Sequence, residues 1–167
     1  MSGGGPAAAP DGISPDGYAH RIVLPDATAT SALGAVLAPH LESGDVVSLA
    51  GDLGAGKTTL ARGLIGALGY DGAVPSPTFT LVQQYETTLF PVWHFDLYRI
   101  SHLDEVIELG FDEARAEGIV LVEWADRLGA AMPSTGLTID IDYDQAGRLA
   151  RLTGSGIWAE RLRDLRS

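Results

Sequence analysis

Eight residues limit what this chain can fold into more than any others: Gly51, Gly56, Lys57 and Thr58 stand at the spacing G-x-x-x-x-G-K-[ST], with Gly54 as a third glycine between them. Glycines at these positions let successive backbone N–H groups converge on phosphate oxygens, because no Cβ stands in the way. A helix opening at Thr58 adds the positive end of its dipole. Lys57 then reaches the β- and γ-phosphates, the Thr58 hydroxyl supplies one magnesium ligand, and Thr59 stands behind it as a second hydroxyl. So short a pattern also occurs in glycine-rich turns, and the flanks decide. Val46, Val47, Leu49 and Ala50 form an apolar run leading into the glycines, and residues 58–68 have helical spacing closed by Gly69. Strand, glycine loop and helix follow in the order a phosphate cradle requires. Asp52, Leu53, Gly54, Ala55, Gly56, Lys57, Thr58 and Thr59 are therefore the expected phosphate contacts.

The remaining pattern is that of an α/β domain. A strand expected over 18–24 precedes a helix over 27–41, in which Leu33, Val36, Leu37 and Leu41 recur at helical spacing behind an Asp26 cap; Gly44 ends the turn. After a Pro-rich link at 74–77, strands over 79–85 and 92–97 read as an antiparallel pair. Short helices over 104–109 and 112–117, a buried strand over 119–124, a hairpin of 137–143 with 148–153 and an amphipathic helix over 158–165 complete the reading. Buried and hairpin strands interspersed with helices imply an α/β, P-loop NTPase-like three-layer domain with a mixed central sheet. The first 17 residues, rich in Gly, Ala and Pro, read as a disordered tail ahead of one domain over 18–167.

At 167 residues, with 46% hydrophobic and 20% charged residues, the makeup is that of an ordinary globular protein. No run approaches the ~18 consecutive apolar residues of a membrane span, and the N-terminus lacks the basic-then-apolar order of a signal peptide. A cytoplasmic protein that does not engage a membrane is expected. The absence of cysteine excludes disulfides and thiolate metal sites. A formal net charge of -11 opposes broad attraction to nucleic acid, so contact with RNA must be local or assisted by a partner. Lys57 is the only lysine. Of the arginines, Arg148, Arg151, Arg161, Arg163 and Arg166 lie close together near the C-terminus and read either as a solvated face or as a docking or RNA-facing patch.

Phosphoryl transfer in such a loop needs an acidic group at the end of a buried strand to hold magnesium. Ile119, Val120, Leu121 and Val122 deliver Glu123 in that position, the layout of a Walker B strand. Asp96 ends another candidate strand in His94-Phe95-Asp96-Leu97-Tyr98-Arg99, where alternation sets 94, 96 and 98 on one face. It reads equally as a magnesium carboxylate or as the cap of the following turn. His94 with Asp96 makes two metal ligands without a third, so a hydrogen-bonded histidine is expected rather than a zinc site. A guanine-specific Asn/Thr-Lys-x-Asp element would need a second lysine, and ATP is the expected nucleotide.

In order along the chain, the glycine loop through Leu60, Ser76-Pro77-Thr78-Phe79 with Leu81, Val82 and Tyr85, then His94, Asp96, Tyr98, Arg99, Glu108-Leu109-Gly110 and Glu123-Trp124 closely resemble the TsaE (YjeE) family over residues 27–152. These are ATPase subunits of bacterial tRNA threonylcarbamoyladenosine synthesis. The resemblance implies ATP/ADP and Mg2+ as ligands, with Thr58, Asp96 and Glu123 converging on the metal and Trp124 beside the nucleotide. It implies catalytic roles for Lys57, Asp96 and Glu123, and a switch-like segment at 76–79. It further implies that TsaD, paired with TsaB, carries out the modification, and that this chain binds their complex. Its hydrolysis, weak alone, would gate or reset that complex, and tRNA would be met through it. The long N-terminal tail and arginine-rich end depart from the family pattern. Arg99 reads as a phosphate or partner contact, or as half of a surface ion pair. Two other readings stay open: a free-standing P-loop kinase of a small molecule, although no arginine-bearing lid stands out between Phe111 and Gly118, and an interaction module whose nucleotide is structural.

Overall fold

A computed structural model of the chain describes residues 13–14, 17–51, 56–75, 77, 80–133, 135–145 and 147–165. Among them, one sheet is built from β1 (Ile13–Ser14), β2 (Gly17–Leu24), β3 (Val46–Gly51), β4 (Val82–Tyr85), β5 (Val92–Asp96), β6 (Ile119–Glu123), β7 (Gly136–Asp144) and β8 (Gly147–Ser155). The strand order is β1-β2-β8-β7-β3-β6-β5-β4. β7, β3, β6 and β5 are parallel, while β4 on one side and β8, β2 and β1 on the other run antiparallel to their neighbours. The parallel centre is covered on both faces, which is why β6 is buried at every position and reads in sequence as a continuous apolar run. β3, β5 and β6 end side by side, at the edge where open α/β sheets take their ligands.

Helices complete the three layers. α1 (Ala27–Leu37), α2 (Lys57–Ala67) and α5 (Ile157–Leu165) cover one face, with Leu37, Leu64 and Trp158 packed in the same core as Leu49, Leu121 and Ile139. α3 (Leu103–Glu108), α4 (Phe111–Glu117) and a 3-10 turn (Ala125–Ala131) cover the parallel strands on the other, around Phe95, Val120 and Val122. α1 and α2 cross at glycines: a Cβ on Gly63 would overlap the Ser31 carbonyl oxygen, and one on Gly34 would overlap Leu60 O. No helix among the described residues is long and apolar enough to cross a membrane.

Several boundaries differ from the sequence expectation for identifiable reasons. The Asp26 cap is present, its carboxylate accepting from Ala29 N at 2.8 Å. The α-helix nevertheless ends at Leu37 and continues only as a 3-10 turn (Ala38–His40), because Pro39 has no N–H with which to extend the ladder. Val36 is 53% exposed; it is Gly34, and not Val36, that faces α2. The strand expected from 79 begins at Val82, after Leu81 leaves the extended conformation with φ 69°. Ile13–Ser14, assigned to the tail by composition, pair with Gly17 and Tyr18. Gly17, the last residue of that expected tail, opens β2, and residues 1–12 and 15–16 lie outside the described residues.

Candidate nucleotide site

The buried polar and charged residues among those described are Thr30, Ser48, Lys57, His94, Asp96 and Glu123. Burying such groups is costly unless they are paired or have a task, so their distribution locates the site. All are tied to the start of α2 or to the neighbouring strand ends. Thr30 packs on Gly56, where an added Cβ would stand 3.3 Å from its methyl group. Ser48 lines a cavity of about 470 Å³ that also touches Gly51, Lys57 and Trp124. His94 contacts Glu123, and Asp96 lies in register beside Glu123 on the adjoining strand.

Gly51 and Gly56 bracket the glycine loop with φ of 137° and 117°, conformations that residues with a Cβ resist. Gly56 is the N-cap of α2, and the first turn of that helix carries no acidic side chain to compete for its free N–H groups. Lys57, 8% exposed, donates from Nζ to Gly51 O at 2.9 Å and stands 3.8 Å from Glu123 Oε1. The second oxygen of that carboxylate, Oε2, lies 2.9 Å from His94 Nε2. His94 is fully buried, and its Nδ1 has no hydrogen-bond partner among the described residues. One buried carboxylate is thus held between an imidazole and the loop's ammonium.

Asp96 does what its capping reading anticipates: Oδ1 accepts the Tyr98 N–H at 3.0 Å, fixing the turn after β5. This occupies one oxygen and leaves the carboxylate next to Glu123. Among the described residues two non-glycine residues adopt left-handed backbone, and each adjoins one of these carboxylates. Trp124 (φ 61°) directly follows Glu123, and Leu81 (φ 69°) accepts the Asp96 N–H through its carbonyl at 2.9 Å. Such strain costs on the order of 1–3 kcal/mol each and gathers at functional sites. The turn at Trp124 sets its ring 5.5 Å from Lys57 Nζ and 4.8 Å from the Tyr98 ring, with the Arg127 guanidinium 6.0 Å beyond Tyr98. A cation–aromatic–aromatic–cation series, its two rings tilted by 49° to one another, therefore runs outward from the lysine.

With this geometry in view, residues 24–151 match the family model described as "Threonylcarbamoyl adenosine biosynthesis protein TsaE". The chain belongs to the TsaE family. A Nostoc protein named tRNA threonylcarbamoyladenosine biosynthesis protein TsaE is 39% identical over 139 residues, 80% of this chain and 85% of its own length. The Bacillus subtilis protein of that name is 41% identical over 122 residues, 72% of this chain and 75% of its own. The match to its Haemophilus influenzae namesake, 41% identical over 105 residues, spans 62% of this chain and 66% of that relative. A crystal structure of Bacillus subtilis YdiB superposes with a TM-score of 0.73 at 32% identity, over 89% of this chain and 93% of that one. The P-loop NTPase-like α/β fold and membership of a family in tRNA threonylcarbamoyladenosine biosynthesis are thereby established.

Within this TsaE chain, the expected site residues fall into groups. Lys57 and Glu123 approach one another, Trp124 lies near the lysine, Asp96 adjoins Glu123 by register, and Thr58 and Thr59 lie in the first turn of α2. Asp52, Leu53, Gly54 and Ala55 lie outside the described residues, as do Ser76, Thr78 and Phe79. The bond between His94 and Glu123 was not anticipated, nor were Arg127, Ser48 and Thr138 at the site. The composite FDLYR and EW segments do carry Tyr98 and Trp124, but nothing in them announces the series. Of the C-terminal arginines, Arg161 pairs with Asp45 at 2.7 Å and Glu42 at 3.4 Å, Arg148 lies over Tyr143, and Arg151 stands opposite Arg21 and Asp140 in the sheet. Arg166 is outside the described residues.

Proposed function

We propose that this chain binds ATP with magnesium, hydrolyses it weakly on its own, and acts in the cytoplasm with a TsaB–TsaD complex in the threonylcarbamoyladenosine modification of tRNA. Its nucleotide cycle gates or resets that complex. The observation that carries the reading is the position of Lys57: a nearly buried ammonium at the start of a helix, on the Gly51 carbonyl and beside a buried carboxylate. Free N–H groups in the first turn of α2 bind phosphate oxygens, and Lys57 exchanges the Gly51 carbonyl for the β- and γ-phosphates.

Thr58, Asp96 and Glu123 offer a hydroxyl and two carboxylates, the hard oxygen donors that suit magnesium. No group of three or more His, Cys, Asp or Glu among the described residues forms a metal cage by itself. This accords with an ion held by one or two carboxylates together with nucleotide phosphates and water. Two buried carboxylates beside one lysine also leave a surplus negative charge that a divalent cation offsets. Bound there, the ion would neutralise charge on the phosphates. Trp124, 38% exposed, stands beside this lysine and Tyr98, 54% exposed, stands against Trp124, so a protein covering them would also meet the phosphate site. Contacts made to a triphosphate and lost on cleavage then become a difference the partner can read. A net charge of -11 favours reaching tRNA through partners rather than directly.

The test is ATP turnover by the chain alone, with TsaB and TsaD, and as Lys57→Ala or Glu123→Ala, with modified tRNA assayed in parallel. Turnover should rise with the pair, and either variant should abolish both turnover and tRNA product. Phosphorylation of a metabolite without partners would replace this reading by a kinase. Tight nucleotide binding with no turnover under any condition would replace it by a non-hydrolysing module.

A further inference from the structure

We propose that His94 is a positioning residue: by donating from Nε2 to Glu123 Oε2 it holds that carboxylate off Lys57 and keeps the ammonium available for phosphate. A carboxylate only accepts, so at 2.9 Å the imidazole nitrogen facing it carries the hydrogen. In the neutral ring Nδ1 is then a lone pair, buried without a partner among the described residues, and its desolvation goes uncompensated. An apolar side chain would fill this place between Val92 and Asp96 on the strand without that loss. The imidazole's one polar contact among the described residues is with Glu123, and that contact is what the histidine contributes.

Its effect follows from the distances. Glu123 Oε1 is 3.8 Å from Lys57 Nζ, beyond hydrogen-bond range, although opposite charges at such low exposure attract strongly. On the lysine side, among the described residues, Nζ donates to the Gly51 carbonyl and faces the Trp124 ring at 5.5 Å, and it has further hydrogens to donate. Tying Oε2 to His94, on the neighbouring strand, fixes the side of the carboxylate away from the lysine. Released, Glu123 would close onto Lys57 and compete with the phosphates for it.

This inference rests on the nucleotide-binding reading above, and its test needs neither magnesium nor turnover. The dissociation constant for ADP is measured in EDTA for the wild type, His94→Leu, His94→Gln, Glu123→Gln and the His94→Leu/Glu123→Gln double variant, each checked by thermal melting. Loss of the tie should weaken binding about tenfold, the scale of one hydrogen bond to a charged group. His94→Gln, whose amide nitrogen has similar reach, should restore it. In the Glu123→Gln background His94→Leu should cost nothing, because no charge remains to be restrained. A His94→Leu protein that binds like the wild type, or a loss that persists in the Glu123→Gln background, overturns the proposal. If His94→Leu does not fold, His94→Gln against the shorter His94→Asn decides: strong and weak binding respectively support it, and equal binding overturns it. A wild type that binds no ADP overturns the nucleotide reading and this inference together, whereas an indifferent His94→Leu with a binding wild type overturns this one alone.

Discussion

On one face of the sheet α1 and α2 cross so closely that a methyl group at Gly63 has no room, whereas on the other face α3 and α4 are helices of six and seven residues, with Ile107 54% exposed. Both faces flank the same strand ends. The first carries α2, whose first turn is the proposed phosphate contact, and close packing against α1 and the strands holds that helix in place. Helices as short as α3 and α4 are marginal in isolation and depend on caps and a few buried side chains such as Val106 and Phe111. The second face can therefore carry exposed side chains near the site, Tyr98 and Trp124 among them, at little cost to the fold.

This contrast is most easily broken at the crossing. Gly63→Val should destabilise the protein by about 3 kcal/mol or more, at or beyond the upper end of ordinary overpacking, because the obstructing atom is backbone and cannot rotate away. Urea unfolding measures it, and a shift equivalent to less than about 1 kcal/mol would mean that the two helices are not locked there.

A smaller effect is expected at the start of α3. Glu105 accepts from the Ser101 N–H at 2.9 Å and the His102 N–H at 3.0 Å, and these bonds lower its pKa. A carboxyl more acidic folded than unfolded adds stability above the unfolded pKa and loses it as the pH falls through the folded value. Glu105→Gln should consequently be less stable than the wild type at neutral pH, and the gap should close on acidification below about pH 4. Melting temperatures across that range test it; a gap that stays constant would count against the cap. Smallest of all, Ile107→Ser should change unfolding stability by no more than about 0.5 kcal/mol, as at other exposed sites. A large loss in the isolated chain would show that this face is packed more like the first.

The two regions also differed in how plainly the sequence announced them. The glycine loop and the strand ending in Glu123 were legible because local chemistry dictates them: a phosphate cradle needs its glycines at a fixed short spacing, and a strand buried on both faces needs a run such as Ile119 to Val122. The His94 bond joins residues 29 apart and exists only in the register of β5 on β6, which no local pattern encodes. Val36 was drawn into the buried stripe because helical spacing cannot tell which flank of a stripe meets a neighbour, and here the neighbour approaches at a glycine. The left-handed turns at Leu81 and Trp124 were invisible for a different reason: neither residue type favours that conformation, and the surrounding packing imposes it.

The phosphate loop's cation has a chemical distinction that follows from composition and burial together. Lys57 bears the chain's only ε-amine, and it is 8% exposed with its nitrogen on the Gly51 carbonyl. Acetyl or ubiquityl transfer to lysine, which in most proteins spreads over many surface side chains, here has a single acceptor. Any such modification of a lysine side chain in this chain acts on the residue proposed to meet the phosphates.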